Sequence, residues 1–145
     1  VNVNKPLMLH GRPSKNSMNA YEDMLTILED AKKEHGNKVR GNAHFFVGNI
    51  DIAQRFINIG FTVSFPGVIT FAKEYDDVVR FMPLTLVHAE TDSPYASPIP
   101  YRGKRNSPMY VQEVVAKIAV LREQSMEEVR VQLLENAKRT FDLTF

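Results

Sequence analysis

The sequence predicts an α/β fold in which a parallel sheet is covered by helices. Short apolar runs bounded by Pro or Gly alternate along the chain with longer stretches whose apolar residues recur at helical spacing. Four such strand–helix units follow one another with no linker, low-complexity segment or internal repeat. The polar residues best suited to chemistry fall at the C-terminal ends of the short runs, where parallel α/β folds build their sites. A small doubly wound domain and half of a (β/α)8 barrel both meet these conditions. Residues 1–145 read as a single unit.

The first strand runs from Pro6 to Leu9 and ends at His10. A helix over about Ala20–Glu34 follows, with Tyr21, Met24, Leu25, Leu28 and Ala31 at helical spacing. Asn19 and Glu22 have the spacing of a capping box; Lys32 and Lys33 suit the last turn, and Gly36 stops it. The next strand lies within Val39–Val47 and ends near His44–Phe46; a short helix over about Ile50–Asn58 leads to Gly60. Phe61–Phe65 is the third strand, followed by a Gly/Pro turn and a helix around Lys73–Phe81. Leu84–Ala89, bounded by Pro83 and Pro94, is the fourth. Ser107-Pro108 opens a helix to about Arg122, with a capping residue and Pro at the first position. Val111, Val114, Val115, Ile118 and Ala119 share one side of it. Ser125 and Glu128 form a capping box for a last helix, to about Lys138.

Composition narrows the function classes. A formal net charge of +1 creates no global basic field, so affinity for a polyanion must come from local clusters. The absence of cysteine excludes a disulfide framework and a thiolate metal site, and fits a reducing compartment. No long apolar run predicts a transmembrane helix, and Val1–Pro6 lacks the apolar core of a signal peptide. A cytoplasmic protein without membrane contact is the expectation. The missing initiator Met agrees with a truncated chain.

Glu90 and Asp92 end the fourth apolar run, and residues two apart on a strand face the same way. Arg102, Lys104 and Arg105 follow in a Pro-rich loop. Carboxylates at a strand end beside a cationic loop suit a metal held next to a bound phosphate. A solvated strand end with a turn is the alternative, as a surface is for the cations. His10, His44 and Asp92 come from separate strand ends. Two imidazoles and a carboxylate are a common ligand set for a hydrolytic divalent ion, although a lone His is more often a hydrogen-bonding residue and Asp92 has the position of a turn cap. Phe45, Phe46 and Phe65 suit either base stacking or core filling. Gly67 permits close approach of a substrate or of another backbone.

Five segments carry a resemblance over nearly the whole chain: Pro6–Arg12, His44-Phe45-Phe46-Val47-Gly48, Gly60–Phe71, Glu90-Thr91-Asp92-Ser93-Pro94-Tyr95 with Pro100–Pro108, and Glu135–Phe141. In content, order and spacing they resemble the TatD family of metal-dependent deoxyribonucleases. The resemblance implies a metallo-hydrolase TIM barrel and assigns the four strands as its fifth to eighth, making the chain the C-terminal half. Family members open with His-x-His and carry a bridging Glu on a middle strand; this chain has no His-x-His. Val47 stands where Ser is usual and His88 where Leu is usual. His88 points the same way as Glu90 by parity, which predicts a buried His bonded to a carboxylate.

The resemblance implies the following roles. His10 and His44 are metal ligands, and Asp92 is a metal-contacting carboxylate that also orients or deprotonates the attacking water. Arg12, at a position where the family carries an Arg, clamps a phosphate, with a surface salt bridge as the alternative. Apart from the resemblance, Arg102 and Lys104 beside an acidic site suit binding of a phosphate polyanion, and Glu90, on the same face as Asp92 by parity, suits holding a ligand or loop from behind. The implied cofactor is a divalent ion (Mg, Mn or Zn), with a second in the full-length protein. The implied reaction is hydrolysis of phosphodiester bonds, with DNA as substrate. The competing readings are a catalytically incomplete fragment, or a related hydrolase acting on an amide or ester. Four barrel strands alone leave two open edges, which a missing N-terminal half-barrel or a second copy would cover.

Overall fold

The computed structural model of the chain describes residues 3–144. Its four strands form one parallel sheet in the order β1-β2-β3-β4, so each strand neighbours the one that follows it in sequence. They are β1 (Leu7–His10), β2 (Gly41–His44), β3 (Thr62–Phe65) and β4 (Val87–Ala89). The helices are α1 (Asn19–His35), α2 (Ile50–Asn58), α3 (Asp76–Phe81), α4 (Val111–Arg122) and α5 (Met126–Phe141). The α/β class and the parallel sheet stand as expected.

The two faces of the sheet differ in chemistry. Leu9, Ala43, Val63, Phe65, Val87 and Ala89 point to one side, with the buried residues of the helices: Tyr21, Leu25, Phe56, Val79, Ile118 and Val129 among them. Phe46 and Phe65 belong to this core, which assigns them to packing and not to base stacking. The register Met8↔Asn42, His10↔His44, Asn42↔Thr62 and Ser64↔His88 puts a polar set on the other side. Nearly all of that inner face is polar, which an isolated sheet–helix sandwich does not need.

Three local expectations need correction. The capping box at Asn19 and Glu22 does not form: Met18 is the residue before α1 and caps with no side-chain bond. The Asn19 side chain is used to accept the Ser14 N–H at 3.1 Å, which ties down the preceding loop. The fourth strand is shorter than Leu84–Ala89, because Leu84–Leu86 is a 3-10 turn. The Asn136 amide donates to the Leu84 and Val87 carbonyls, both at 2.7 Å, and Arg139 donates to the Thr85 carbonyl, so carbonyls of this segment serve α5. His88 is buried, but among the described residues no carboxylate meets it. Its ring packs 5.5 Å from that of Phe141, and Nε2 has no hydrogen-bond partner among the described residues.

Other signals read true. Ser125 accepts the Glu128 N–H while Glu128 returns to the Ser125 N–H, closing the capping box of α5. Ser107 caps the turn Pro108–Tyr110 that leads into α4. Asn49 caps α2 by accepting the Ile52 N–H at 3.0 Å.

Candidate metal centre

The C-terminal ends of the strands open on a cavity of about 680 Å³ lined by His10, Gly11, Arg12, His44, Phe45, Val47, Asp92 and Tyr95. Register brings the histidines together: His10 and His44 are paired on β1 and β2, and their ring centroids are 4.9 Å apart. Asp92 reaches the same cavity from the loop after β4. Among the described residues no three His, Cys, Asp or Glu side chains converge closely enough to enclose a metal ion. The donor chemistry fits a divalent ion, whereas the geometry supplies an incomplete set.

The turn after β2 is held on three sides. Phe45 has a left-handed backbone with φ of 52°, a conformation costing a residue with a Cβ about 1–2 kcal/mol. Its N–H donates to Glu90 Oε1 at 2.6 Å; the next, of Phe46, donates to the Ser64 carbonyl at 2.9 Å; that of Val47 donates to the Tyr21 hydroxyl at 3.0 Å. Burial pushes the Tyr21 hydroxyl pKa up to about 12, so it stays a neutral partner. Three successive N–H groups thus fix the strained turn that places Phe45 in the cavity wall.

Glu90 is the centre of this arrangement. Its carboxylate accepts from Phe45 N–H and from Ser64 Oγ at 2.9 Å, and Oε2 lies 3.4 Å from His44 Nδ1. Burial pushes its pKa up, opposed by the hydrogen bond from Ser64 and by His44 and Phe45. A carboxylate on Nδ1 leaves Nε2 of His44 free for a metal, a pairing that raises ligand basicity.

Asp92 is placed by backbone, not by its own side chain. It too is left-handed, with φ of 51°. The buried Asn106 amide donates to the Thr91 carbonyl at 2.7 Å and to that of Tyr95 at 2.5 Å, bracketing it. Among the described residues nothing forms a hydrogen bond or ion pair with the Asp92 carboxylate or with Arg12, so both remain available to a ligand.

The cationic loop differs from expectation. Arg102 and Lys104 do not line the cavity. The Arg102 guanidinium lies 3.6 Å above the Phe71 ring, and Tyr101 stacks on Tyr110 at 3.7 Å. Any Cβ on Gly67 would strike the Ala96 carbonyl, so this Gly serves loop-on-loop packing and not substrate approach. Thr70 reinforces it, its Oγ1 accepting the Ile99 N–H at 2.9 Å. Tyr95, highly exposed at the cavity rim, was not singled out by the sequence; a lone aromatic in a Pro-rich turn carries no periodic signal.

Two His at adjacent strand ends, an Asp on the loop after β4 and a carboxylate behind one His lie on the side of a parallel sheet where (β/α)8 folds build their sites. Residues 1–142 match the family described as TatD related DNase, and the chain belongs to it. It is 40% identical over 141 residues to the uncharacterized metal-dependent hydrolase YabD of Bacillus subtilis, covering 96% of this chain and 52% of that protein. It is 35% identical over 143 residues to the uncharacterized metal-dependent hydrolase YcfH of Escherichia coli K12, covering 97% and 51%. Among solved structures, YJJV, a TatD homolog of Escherichia coli K12, superposes with a TM-score of 0.81 at 25% identity, over 96% of this chain and 51% of that one. The chain thus spans about half the length of the relatives it matches.

Proposed function

We propose that this chain forms strands five to eight of a TatD-type (β/α)8 barrel, and that it contributes His10, His44 and Asp92 to a divalent-metal centre that hydrolyses phosphodiester bonds in DNA. The single observation that carries this is the convergence of His10, His44, Asp92 and Arg12 on one cavity at the strand ends. The coverage of half of each relative supports the half-barrel reading, and the incomplete donor set is what a half would contain. The remaining ligands come from the missing N-terminal half-barrel, or a second copy covers the open edges in its place.

Each residue then has a chemical task. His10 and His44 hold the ion, Mg, Mn or Zn, with a second ion in the full-length protein. A bound divalent ion polarises the phosphoryl oxygen and lowers the pKa of water at the site. Asp92, with its carboxylate unengaged, orients the attacking water and takes its proton. Glu90 holds His44 and the Phe45 turn from behind. Arg12, in the same cavity, grips the phosphate. Lys104 lies outside it and serves a neighbouring stretch of DNA backbone; Arg102 contributes from its perch on Phe71.

A test expresses the longest reading frame containing this chain and supplies Mg²⁺, Mn²⁺ or Zn²⁺ with end-labelled DNA, alongside amide and ester substrates. Metal-dependent loss of DNA that is abolished by His44→Ala supports the proposal. Hydrolysis of amides or esters with DNA left intact would replace it by the related metallo-hydrolase reading. The 145-residue chain by itself is expected to turn over little, because its described donors do not close on a metal.

A further inference from the structure

We propose that Asn42 and Ser64 are positioning residues: through Glu90 they hold His44 in the tautomer whose Nε2 faces the cavity. The inference rests on the reading of His44 as a metal ligand and extends it to two residues on the floor of the sheet.

The inner face carries an unbroken line of side chains. The one proton of Thr62 Oγ1 has two acceptors, Asn42 Oδ1 at 3.0 Å and the Gly41 carbonyl at 3.2 Å, and Asn42 Nδ2 donates to Ser64 Oγ at 3.1 Å. Ser64 Oγ donates to Glu90 Oε2 at 2.9 Å, and that same oxygen faces His44 Nδ1 at 3.4 Å. Asn42 and Ser64 are 1% and 2% exposed, so water does not compete for these bonds. β2 and β3 supply the line, and each link crosses between adjacent strands or to the end of the fourth.

Proton accounting gives the line a direction. A serine hydroxyl has one proton, and here it goes to Glu90. Ser64 must therefore receive, not give, at its other contact, and only the Asn42 amide in this orientation can donate there. With the amide reversed, its oxygen would face Ser64 and claim that one proton. The second Asn42 N–H points at Met8 Sδ at 3.5 Å, so a β1 side chain occupies it. From Asn42 to Ser64 to Glu90, each hydrogen bond thus points toward Glu90. As a carboxylate Glu90 only accepts, so its neighbour Nδ1 carries the proton and Nε2 keeps its lone pair. Ser64 fixes which way Oε2 points, and Asn42 fixes Ser64. Neither reaches the cavity.

Long-range ¹H–¹⁵N spectra of the metal-free chain read the His44 tautomer directly, without metal or catalysis. The wild-type chain should show His44 protonated at Nδ1. Ser64→Ala and Asn42→Leu should each move it to a mixture with the Nε2-protonated form, and Ser64→Thr, which keeps the hydroxyl, should restore the wild-type pattern. Zn²⁺ titration of the same substitutions in the longest reading frame containing this chain should show about 10-fold to 100-fold weaker binding in Ser64→Ala and Asn42→Leu. Should Asn42→Leu not fold, the pair Ser64→Ala and Ser64→Thr decides alone. An unchanged His44 tautomer in Ser64→Ala overturns the proposal. A shifted tautomer supports it even if the longer reading frame takes up no Zn²⁺, a result that counts against the metal reading of His44 instead.

Discussion

His10 and His44 are register partners on adjacent parallel strands, with their rings 4.9 Å apart and tilted by 39°. The ladder between β1 and β2 creates this pairing. A slip of one residue would send His10 to the opposite face. The cavity is therefore built by sheet register first and refined by hydrogen bonds second, and the variants below separate the two levels.

Asp92→Asn removes the charge that takes the water's proton while keeping the side chain's size. Under the proposed function, the rate of DNA hydrolysis by the longest reading frame containing this chain should fall by roughly 10²-fold or more. DNA affinity, measured at fixed salt, should persist, since it rests on cations. Cleavage at the normal rate would remove Asp92 from the chemistry.

Arg102→Ala and Lys104→Ala should differ in kind. Arg102 sits on Phe71, so its loss should lower stability by about 0.5–1 kcal/mol through the lost cation–π contact. Lys104 has no partner for its side chain among the described residues. Its loss should leave the melting temperature in place and reduce the salt slope of DNA binding by about one. Equal effects of the two substitutions on both readouts would refute the division of labour.

His88 predicts an acid-sensitive stability. Burial first, and Arg139 second, lower its pKa from 6.5 to about 4 in the folded chain. The unfolded chain binds the proton more readily between those values, so stability is full above pH 6.5 and falls as the pH drops toward 4. The loss over that window is about 3 kcal/mol. His88→Leu should flatten this limb and raise stability at neutral pH by about 1–2 kcal/mol, because Nε2 has no partner among the described residues. Chemical denaturation across pH checks both; an unchanged acid limb would assign the effect to another group.

Asn136→Ala should strip two carbonyls of their donor, the part-buried one of Leu84 and the buried one of Val87. The expected cost is about 3 kcal/mol, or roughly 6–12 °C in melting temperature for a chain of this size. A loss below about 0.5 kcal/mol would mean that α5 is held mainly by Val129 and Leu133.

Much of the fold was legible because its signals are local. α2 falls on the predicted residues because Asn49 and Gly60 bracket one amphipathic stretch. The box at Ser125 formed, whereas the similar pair at Asn19 was diverted by Ser14, a competitor that spacing does not reveal. The fourth strand was overestimated because its first carbonyls serve Asn136 and Arg139, which lie far along the chain. The same holds at the cavity. His10, His44 and Asp92 stand at strand ends and could be named from one sequence. The line Asn42–Ser64–Glu90 joins residues that only the sheet makes neighbours. The seat of Arg102 on Phe71 was not legible either, because that ring belongs to a different loop.

The stitching of α5 to the start of β4 also sets an order of assembly. The strand that leads to Glu90 and Asp92 receives its Asn136 donors from a helix that the ribosome makes later, and the Asn106 bracket likewise arrives after Asp92. During synthesis the histidine half of the cavity can take shape while the carboxylate half still waits for its fasteners. A premature stop between Asp92 and Asn136 would therefore spare every residue of the candidate centre and still leave the chain unable to bring them together.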